Sequence, residues 1–369
     1  MEALVDSTGL ANNGIKAVKK TLFMDLLANG WPAALDKAEG ISIINDSTIA
    51  FSNDNDFAQT CPLADGIAIP TTNTSHVITY GLQGSNKVPN YSAPASAGIN
   101  LSNYIRVGRY DLPEPTRTTP PDATSLLAQE VSAVTYNWDS NSLFVVGDGG
   151  TSIVQVTKTG QLINSMTLAP GASPQGTDFY DPEGLAYIGN GMFVMTEERD
   201  RQAVKFTYVA GTTLTRSLAQ TVKLGTTIGN IGLEGLSYDP STNGYIFVKE
   251  AQPQSIFQTG IDFAANTATN GSPTTVNSTD LFNPALANML DFADVFALSN
   301  IPYLNGQADY SHLLVLSQES GKIVNVDRLG NIYSTLTIVT DSGNPLTVPN
   351  QQHEGLTMDR DSFLYVVSE

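Results

Sequence analysis

Six short apolar runs along this chain open with an acidic residue, usually followed by Gly. They read Glu39-Gly40-Ile41-Ser42-Ile43, Glu130-Val131-Ser132-Ala133-Val134, Glu183-Gly184-Leu185-Ala186-Tyr187, Glu234-Gly235-Leu236-Ser237-Tyr238, Asp294-Val295-Phe296-Ala297-Leu298 and Glu354-Gly355-Leu356-Thr357-Met358. Self-similarity at a period of a few tens of residues constrains a fold more than any single motif, because each copy must be the same supersecondary unit. A second, more β-branched or aromatic run follows each one, as in Leu143-Phe144-Val145-Val146-Gly147-Asp148 and Tyr245-Ile246-Phe247-Val248-Lys249-Glu250. Such runs, bounded by turn residues, predict buried strands rather than helices. A third run, a Gly turn (Thr159-Gly160, Leu329-Gly330) and a fourth run often complete the unit. Four short strands in meander order are the pattern of a propeller blade.

The expectation is therefore an all-β chain, a six-bladed β-propeller of four-stranded blades. From Glu130 onward the leading acids recur at even intervals, and only the interval from Glu39 to Glu130 is long. The Pro-, Ser-, Thr- and Asn-rich stretch at about 57–122 accounts for it as an insertion on the first blade, and loops of that length are usually functional or disordered. The last repeat holds two strands before the chain stops. Glu2 to Gly9 and Ala17 to Met24 have the third-strand, Gly-turn, fourth-strand pattern, so N- and C-terminal strands together are expected to close the last blade. Closure of this kind removes free sheet edges. Residues 1–369 then form one domain, and a strand starting almost at Met1 suggests excision from a longer protein. Apolar residues at helical spacing occur only around Asp25–Ala28 and Pro284–Leu290.

Acidic residues outnumber basic ones 36 to 18, a formal charge of −18. That disfavours nucleic acid or an anionic membrane as the main partner and favours cations. The single Cys, Cys61, excludes an internal disulfide and a Cys-based metal site. No apolar run is long enough to span a membrane, and no signal peptide is visible. Scarce Lys with abundant Asn, Thr, Ser and Gly has the look of an exported bacterial protein, periplasmic or extracellular.

If the first strand of each blade starts at its acid and the second, antiparallel, ends near it, both termini reach one mouth of the ring. The first set supplies Glu39, Glu130, Glu183, Glu234, Asp294 and Glu354; the second adds Asp148, Glu197, Glu250 and Glu369, with Asn53 and Gln318 in equivalent places and Glu198 and Glu319 directly after. So many carboxylates brought together cannot all stay ionised without neutralisation. Three outcomes are open: backbone N–H groups of a neighbouring blade take them as latches, some hold protons, or they bind a hard cation. An all-oxygen set that includes amides suits Ca²⁺ far better than Zn²⁺. The candidate metal set is Glu39, Glu130, Asp148, Glu183, Glu197, Glu234, Glu250, Asp294 and Glu354. The Gly after the acid permits close backbone packing near the axis.

His353, beside Glu354, is a candidate acid or base, although a lone His next to a repeat motif is more often structural. Arg199, Arg201, Lys249 and Lys322 fall at or just after second-strand ends and are candidates for holding a phosphate or carboxylate. The simpler alternative pairs Arg199 and Arg201 with Glu197, Glu198 and Asp200. No nucleophile elbow and no phosphate loop is present.

The stretch from Glu130 to Glu369, with Asp181-Pro182-Glu183-Gly184-Leu185, Leu233-Glu234-Gly235-Leu236-Ser237-Tyr238-Asp239-Pro240, Leu316-Ser317-Gln318-Glu319-Ser320 and Val326-Asp327-Arg328-Leu329-Gly330, resembles the SdiA-regulated propeller family. Lys37-Ala38-Glu39-Gly40-Ile41 and Ser52-Asn53-Asp54-Asn55-Asp56-Phe57 resemble the opening of esterase-like, phytase-like propellers. The resemblance implies a bacterial exported or envelope propeller with Ca²⁺ in its channel. Two functions follow: a Ca²⁺-binding ligand-binding or scaffold domain of a larger exported protein, taking a small-molecule, glycan or phosphoester ligand, or a Ca²⁺-dependent hydrolase of phosphate or carboxylic esters. In the second, Glu183 or Glu234 would activate water beside the metal, with Arg199, Arg201 or Lys249 stabilising charge.

Overall fold

Runs of Val, Ile, Leu and Phe only four to seven residues long, each closed by Gly, Asn or Asp, are too short for a stable helix and bury both faces as strands. The computed structural model of the chain describes residues 22–35, 38–45, 47–53, 59–60, 69–70, 74–84, 87, 98–113, 127–174, 176–250, 253–338 and 352–368. The chain divides into two compact units, Met1–Ala95 and Ser96–Glu369.

In the first unit, strands β1 (Ala38–Asn45), β2 (Thr48–Asn53) and β3 (Val77–Gly81) form an antiparallel sheet in that order. It carries Glu39, which is exposed. Cys61 lies outside the described residues, as does most of the stretch expected to be an insertion.

Among the described residues the second unit holds five antiparallel sheets in chain order, with a short pair of strands, Ile261–Asp262 and Thr267–Ala268, between the third and fourth. The first is β4 (Val131–Asn137), β5 (Ser142–Gly147), β6 (Ser152–Val156) and β7 (Leu162–Leu168). The next holds β8 (Leu185–Gly189), β9 (Met192–Glu197) and β10 (Gln202–Thr207); β11 (Thr213–Leu214) crosses to pair with β7, and β12 (Gln220–Lys223) closes the sheet beside β10. The third has three strands, β13 (Leu236–Asp239), β14 (Gly244–Lys249) and β15 (Ser255–Thr259). The fourth is β16 (Asp294–Ala297), β17 (Leu313–Ser317), β18 (Lys322–Val326) and β19 (Ile332–Thr337), and the last is the pair β20 (His353–Met358) and β21 (Leu364–Ser368). The helical spacing seen around Pro284 resolves as a single 3-10 turn, Pro284–Ala287, capped by Asn283.

The first strands of these five sheets touch in cyclic order. Tyr187 N–H of β8 donates to Thr135 Oγ1 of β4 (3.1 Å), and Leu236 N–H of β13 donates to Asp294 Oδ1 of β16 (3.2 Å). Leu356 N–H of β20 donates to Asp294 Oδ2 (2.7 Å), and Tyr136 N–H of β4 donates to Thr357 Oγ1 of β20 (3.1 Å). Between β8 and β13, a Cβ at Gly184 would lie 2.9 Å from both Glu234 O and Leu236 Cβ.

The core is divided in the same way. Alternate side chains of each strand point to opposite faces, so Phe144 and Val146 pack with Tyr187, Phe193 and Phe206 of the next sheet, whereas Val145 and Leu143 pack toward Tyr365 and Val367 of the last. Val194 meets Phe247, Ile246 meets Val315, and Leu316 meets Leu356 in the three remaining layers. Sheets radiating from a cycle of inner strands, with apolar layers between them, are the propeller arrangement.

One expectation differs from this picture, and another falls outside the described residues. Among the described residues the cycle of inner strands closes on five, from β20 directly back to β4, so six-fold closure is not what this unit shows. The physical reason is that β20 presents Thr357 Oγ1 and the Cβ-free Gly355 to β4, where a Cβ would lie 2.9 Å from Ser132 O and Val134 N. The N-terminal strands expected to complete the last blade fall outside the described residues apart from Leu22–Met24, which form no strand.

Candidate metal centre

Because the inner strands start, and the second strands end, at the same edge of each sheet, residues flanking them share one mouth. Glu183 precedes β8, Glu234 precedes β13 and Glu354 is the second residue of β20, while Asp148 follows β5, Glu198 follows β9 and Glu250 follows β14. These six carboxylates, with Ser132, Asn230, Ala293, Gln318 and Gln352, line a cavity of about 240 Å³. Among the described residues no cationic side chain lines it. Further along the same five strands the interior is packed, leaving about 20 Å³, room for a water molecule.

Burial, with crowding added to it, shows in the protonation of the acids. Burial first, and then the neighbouring carboxylates Asp148, Glu354 and Asp181, push Glu183 well above the usual carboxylate range. Glu234 is raised in the same way by burial and by Glu183 and Glu198. Burial also lifts Asp148 to about 6, with Glu130 adding to it, and lifts Glu354 to about 7 against a hydrogen bond from Gln352. Glu198 rises to about 7 through burial, opposed by Gly232 N–H, which donates to its Oε1 at 2.8 Å. Glu250 is raised by burial and by Asp291 and Glu319.

Several oxygens are left without donors. Glu183 is 9% exposed and accepts no hydrogen bond among the described residues. Buried Oδ1 of Asp148 and buried Oε2 of Glu198 likewise lack hydrogen-bond donors, the latter with Arg199 Nε only at 4.0 Å. When ionised, Glu198, Glu234 and Asp181 cannot donate to one another; they pair only when one carries a proton. Asp148, Asp181 and Glu183 bring one oxygen each within 4.8 Å of the others, a cluster of the size that holds a metal ion.

Other candidates take different roles. Asp294 does not reach the cavity: its two oxygens accept the N–H groups of Leu236, Val295 and Leu356, making it a latch between three inner strands. Glu197 is fully buried and is held by Arg216, by Gln202 Nε2 and by Tyr180 N–H at 2.6 Å. Glu130 sits in a left-handed turn (φ 47°) against Gly149, beside Asp148 but outside the cavity lining. Glu39 belongs to the other unit, and Glu369 lies outside the described residues.

Among the basic candidates, Arg199 pairs with Asp181 and with Asn230 Oδ1. Lys322 donates to the Asn288 carbonyl at 2.6 Å, and Arg201 and Lys249 are buried between sheets. His353 is buried, its Nδ1 2.6 Å from Ser368 Oγ, and burial lowers its pKa below the usual imidazole value.

Asp181 and Glu198 are the functional candidates that the repeat alone understates. Asp181 lies two residues ahead of a leading acid, held at φ 56° before Pro182, and Glu198 lies one residue past a second-strand end. The Asp-Pro-Glu-Gly run was the available signal for the first.

A catalytically inactive virginiamycin B lyase from Staphylococcus aureus, solved with quinupristin, is 11% identical, with 92% of this chain and 80% of that chain covered and a TM-score of 0.31. A streptogramin B lyase structure is 11% identical over 89% of each chain at a TM-score of 0.33. The β-propeller domain of Myceliophteria thermophila Cps50 (Swd1) is 10% identical, covering 65% of this chain and 63% of that one at 0.32. Residues 119–369, well over half the chain, match the SdiA-regulated family model, and the chain belongs to the SdiA-regulated family.

Proposed function

We propose that this protein binds a divalent cation, Ca²⁺, in the acidic cavity at one mouth of its inner strands. The observation that carries the reading is the nine-tenths-buried carboxylate of Glu183, which accepts no hydrogen bond among the described residues and faces a cavity whose described lining holds five further acids and no base. Hard oxygen ligands in a roomy, irregular set match Ca²⁺, which takes six to eight oxygens in flexible geometry, better than Mg²⁺. Asp148 and Glu183 at the cavity wall, with Asp181 clustered beside them, form the nucleus of the set, and Glu198, Glu234, Glu354, Gln318 and Gln352 line the same cavity.

With the metal as a structural and recognition centre, the role proposed is a ligand-binding or scaffold domain of an exported bacterial protein, the ligand approaching the cavity mouth. A hydrolase is the weaker reading. Arg199 lies beside the cavity but is tied to Asp181 and Asn230, Lys322 is tied to the Asn288 carbonyl, and among the described residues no basic side chain lines the cavity to stabilise developing charge.

The test is a thermal melt after exhaustive chelation, repeated with Ca²⁺ or Mg²⁺ restored, alongside calorimetric titration. The expected result is a Ca²⁺-selective rise in melting temperature that Glu183→Gln and Glu234→Gln abolish. Identical melts with and without Ca²⁺, and no binding heat, would overturn the reading and leave the acids as protonated packing groups.

A further inference from the structure

The acidic cavity is also lined by amides, and two of them have one end fixed. Asn230 and Gln352 line it as exposed side chains, and half-buried Gln318 joins them. Arg199 Nη2 donates to Asn230 Oδ1 at 2.5 Å, so the end that Asn230 keeps for a ligand is its Nδ2 donor. The guanidinium is itself held by Asp181 and lies 5.2 Å from the centre of the Tyr180 ring, which keeps the amide from turning over. Gln352 is fixed the other way. Its Nε2 donates to Glu354 Oε1 at 3.3 Å and leaves the acceptor Oε1 unengaged. Gln318 has neither end of its amide bonded among the described residues.

Further in, what is missing is donors. Glu198 is 1% exposed with Oε2 unpartnered, Asp148 Oδ1 is buried without a donor, and Glu183 accepts no hydrogen bond among the described residues. A ligand that fits must donate to buried carboxylates and accept from amide N–H groups at once. A carboxylate or a phosphate dianion accepts only, and it would meet six acids with no base in the described lining. An ammonium donates only, so it leaves Asn230 Nδ2 unanswered and competes with the cation for the acids. A hydroxyl does both from one atom without charge, and its hard oxygen also suits Ca²⁺. We propose that the ligand of this mouth is a neutral polyhydroxyl compound, a vicinal diol of a sugar or polyol whose hydroxyls bridge the amides to the buried acids. The inference rests on the cation reading for the ion alone. At about 240 Å³ the cavity lies below the ~300–1,000 Å³ that takes drug-sized ligands, so it admits one small unit, a free polyol or the terminal residue of a glycan.

The test is calorimetric titration of the Ca²⁺-loaded protein with the methyl glycosides of galactose, mannose and glucose, with glycerol and inositol, and with galacturonate as an anionic counterpart. A glycan ending in whichever sugar binds, titrated alongside, separates a terminal residue from a free polyol as the source. The expected result is saturable heat from at least one neutral diol, lost in its deoxy analogue and absent with galacturonate. Asn230→Asp keeps the shape of the side chain and replaces the Nδ2 donor by an acceptor. It should weaken diol binding about tenfold or more, the size of one hydrogen bond, while the Ca²⁺-dependent rise in melting temperature persists. No saturable heat from any neutral diol, galacturonate binding as tightly as the sugars, or parent-like affinity in Asn230→Asp would overturn the proposal. A melt that responds to Ca²⁺ in the same protein would show that the cation reading survives that failure. Sugar binding in protein whose melt ignores Ca²⁺ would sink the cation reading and support hydroxyl recognition by the amides and acids themselves.

Discussion

Asp294 is the residue where one side chain does the most for the fold. A single carboxylate accepts N–H groups from β13, from its own strand and from β20, so three inner strands depend on its two oxygens. Asn in its place keeps one acceptor oxygen for Leu236 and Val295 but turns an amide N–H toward the Leu356 N–H, 2.7 Å from the carboxylate oxygen that Asn would lose. Leaving that donor unsatisfied in the core costs about 1–3 kcal/mol, so Asp294→Asn should lower the unfolding free energy by about that amount in urea denaturation while leaving Ca²⁺ affinity unchanged. Arg216 poses the complementary case. It holds fully buried Glu197 through both terminal guanidinium nitrogens and also donates to the Asp178 carbonyl; removing the partner of a buried carboxylate costs up to about 3–5 kcal/mol, less here because the guanidinium itself is one-third exposed. Arg199 is as exposed as Arg216 but makes a single bond to its carboxylate, Asp181, so Arg216→Met should destabilise more than Arg199→Met. The sequence could place Asp294 and Glu197 in the repeat but not separate them from the cavity acids. The same position in successive repeats faces backbone N–H groups in one case and open space in another, and that choice rests on register between strands far apart in the chain.

At the scale of the element, the acid-Gly pair proves to be two devices. The acid lies at the mouth, and the Gly lets adjacent inner strands approach. A Cβ at Gly235 would fall 2.4 Å from Asp294 Cα, against 2.9 Å from Glu234 O at Gly184, whereas in the first unit the corresponding Gly40 meets only a side-chain hydroxyl, Ser52 Oγ. Overpacking against backbone costs about 1–3 kcal/mol or more. Gly235→Ala should thus destabilise more than Gly184→Ala, and Gly40→Ala least, because a serine rotamer can turn away; differential scanning calorimetry of the three variants would check the order. Strand positions from Val131 onward were legible because runs buried on both faces differ sharply from their Gly- and Asn-bounded turns. The count of sheets around the cycle was not legible. Each blade contacts only its neighbours, so local sequence carries the shape of a blade, while the number that closes depends on small angles between them. The three-stranded sheet β13–β15 and the crossing of β11 to β7 are likewise decided by which edge finds a partner.

For the whole molecule, the acidic cavity couples charge, pH and cation. Folding raises Asp148 to about 6 and Glu198 and Glu354 to about 7, with Glu183 and Glu234 also well above their usual range. Each acid keeps its proton in the folded chain at a pH where the unfolded chain has released it. Stability from these groups is therefore fully present below about pH 4, where both states are protonated. It is lost progressively as pH rises through 6 to 7 and beyond, because the unfolded state there binds fewer protons. The chelated protein should accordingly melt at falling temperature from pH 5 to pH 8, the reverse of a domain stabilised by ion-paired carboxylates. A bound cation inverts this slope: it displaces the protons, favours the ionised cavity and binds more tightly as pH rises. Melts from pH 5 to 8 with and without saturating Ca²⁺ should diverge, nearly coinciding at the acid end and separating most at pH 8. Glu183→Gln and Glu234→Gln together should flatten the chelated profile, since an amide carries no proton to lose. Parallel profiles at every pH would mean that the cation, if bound, sits elsewhere than among these acids.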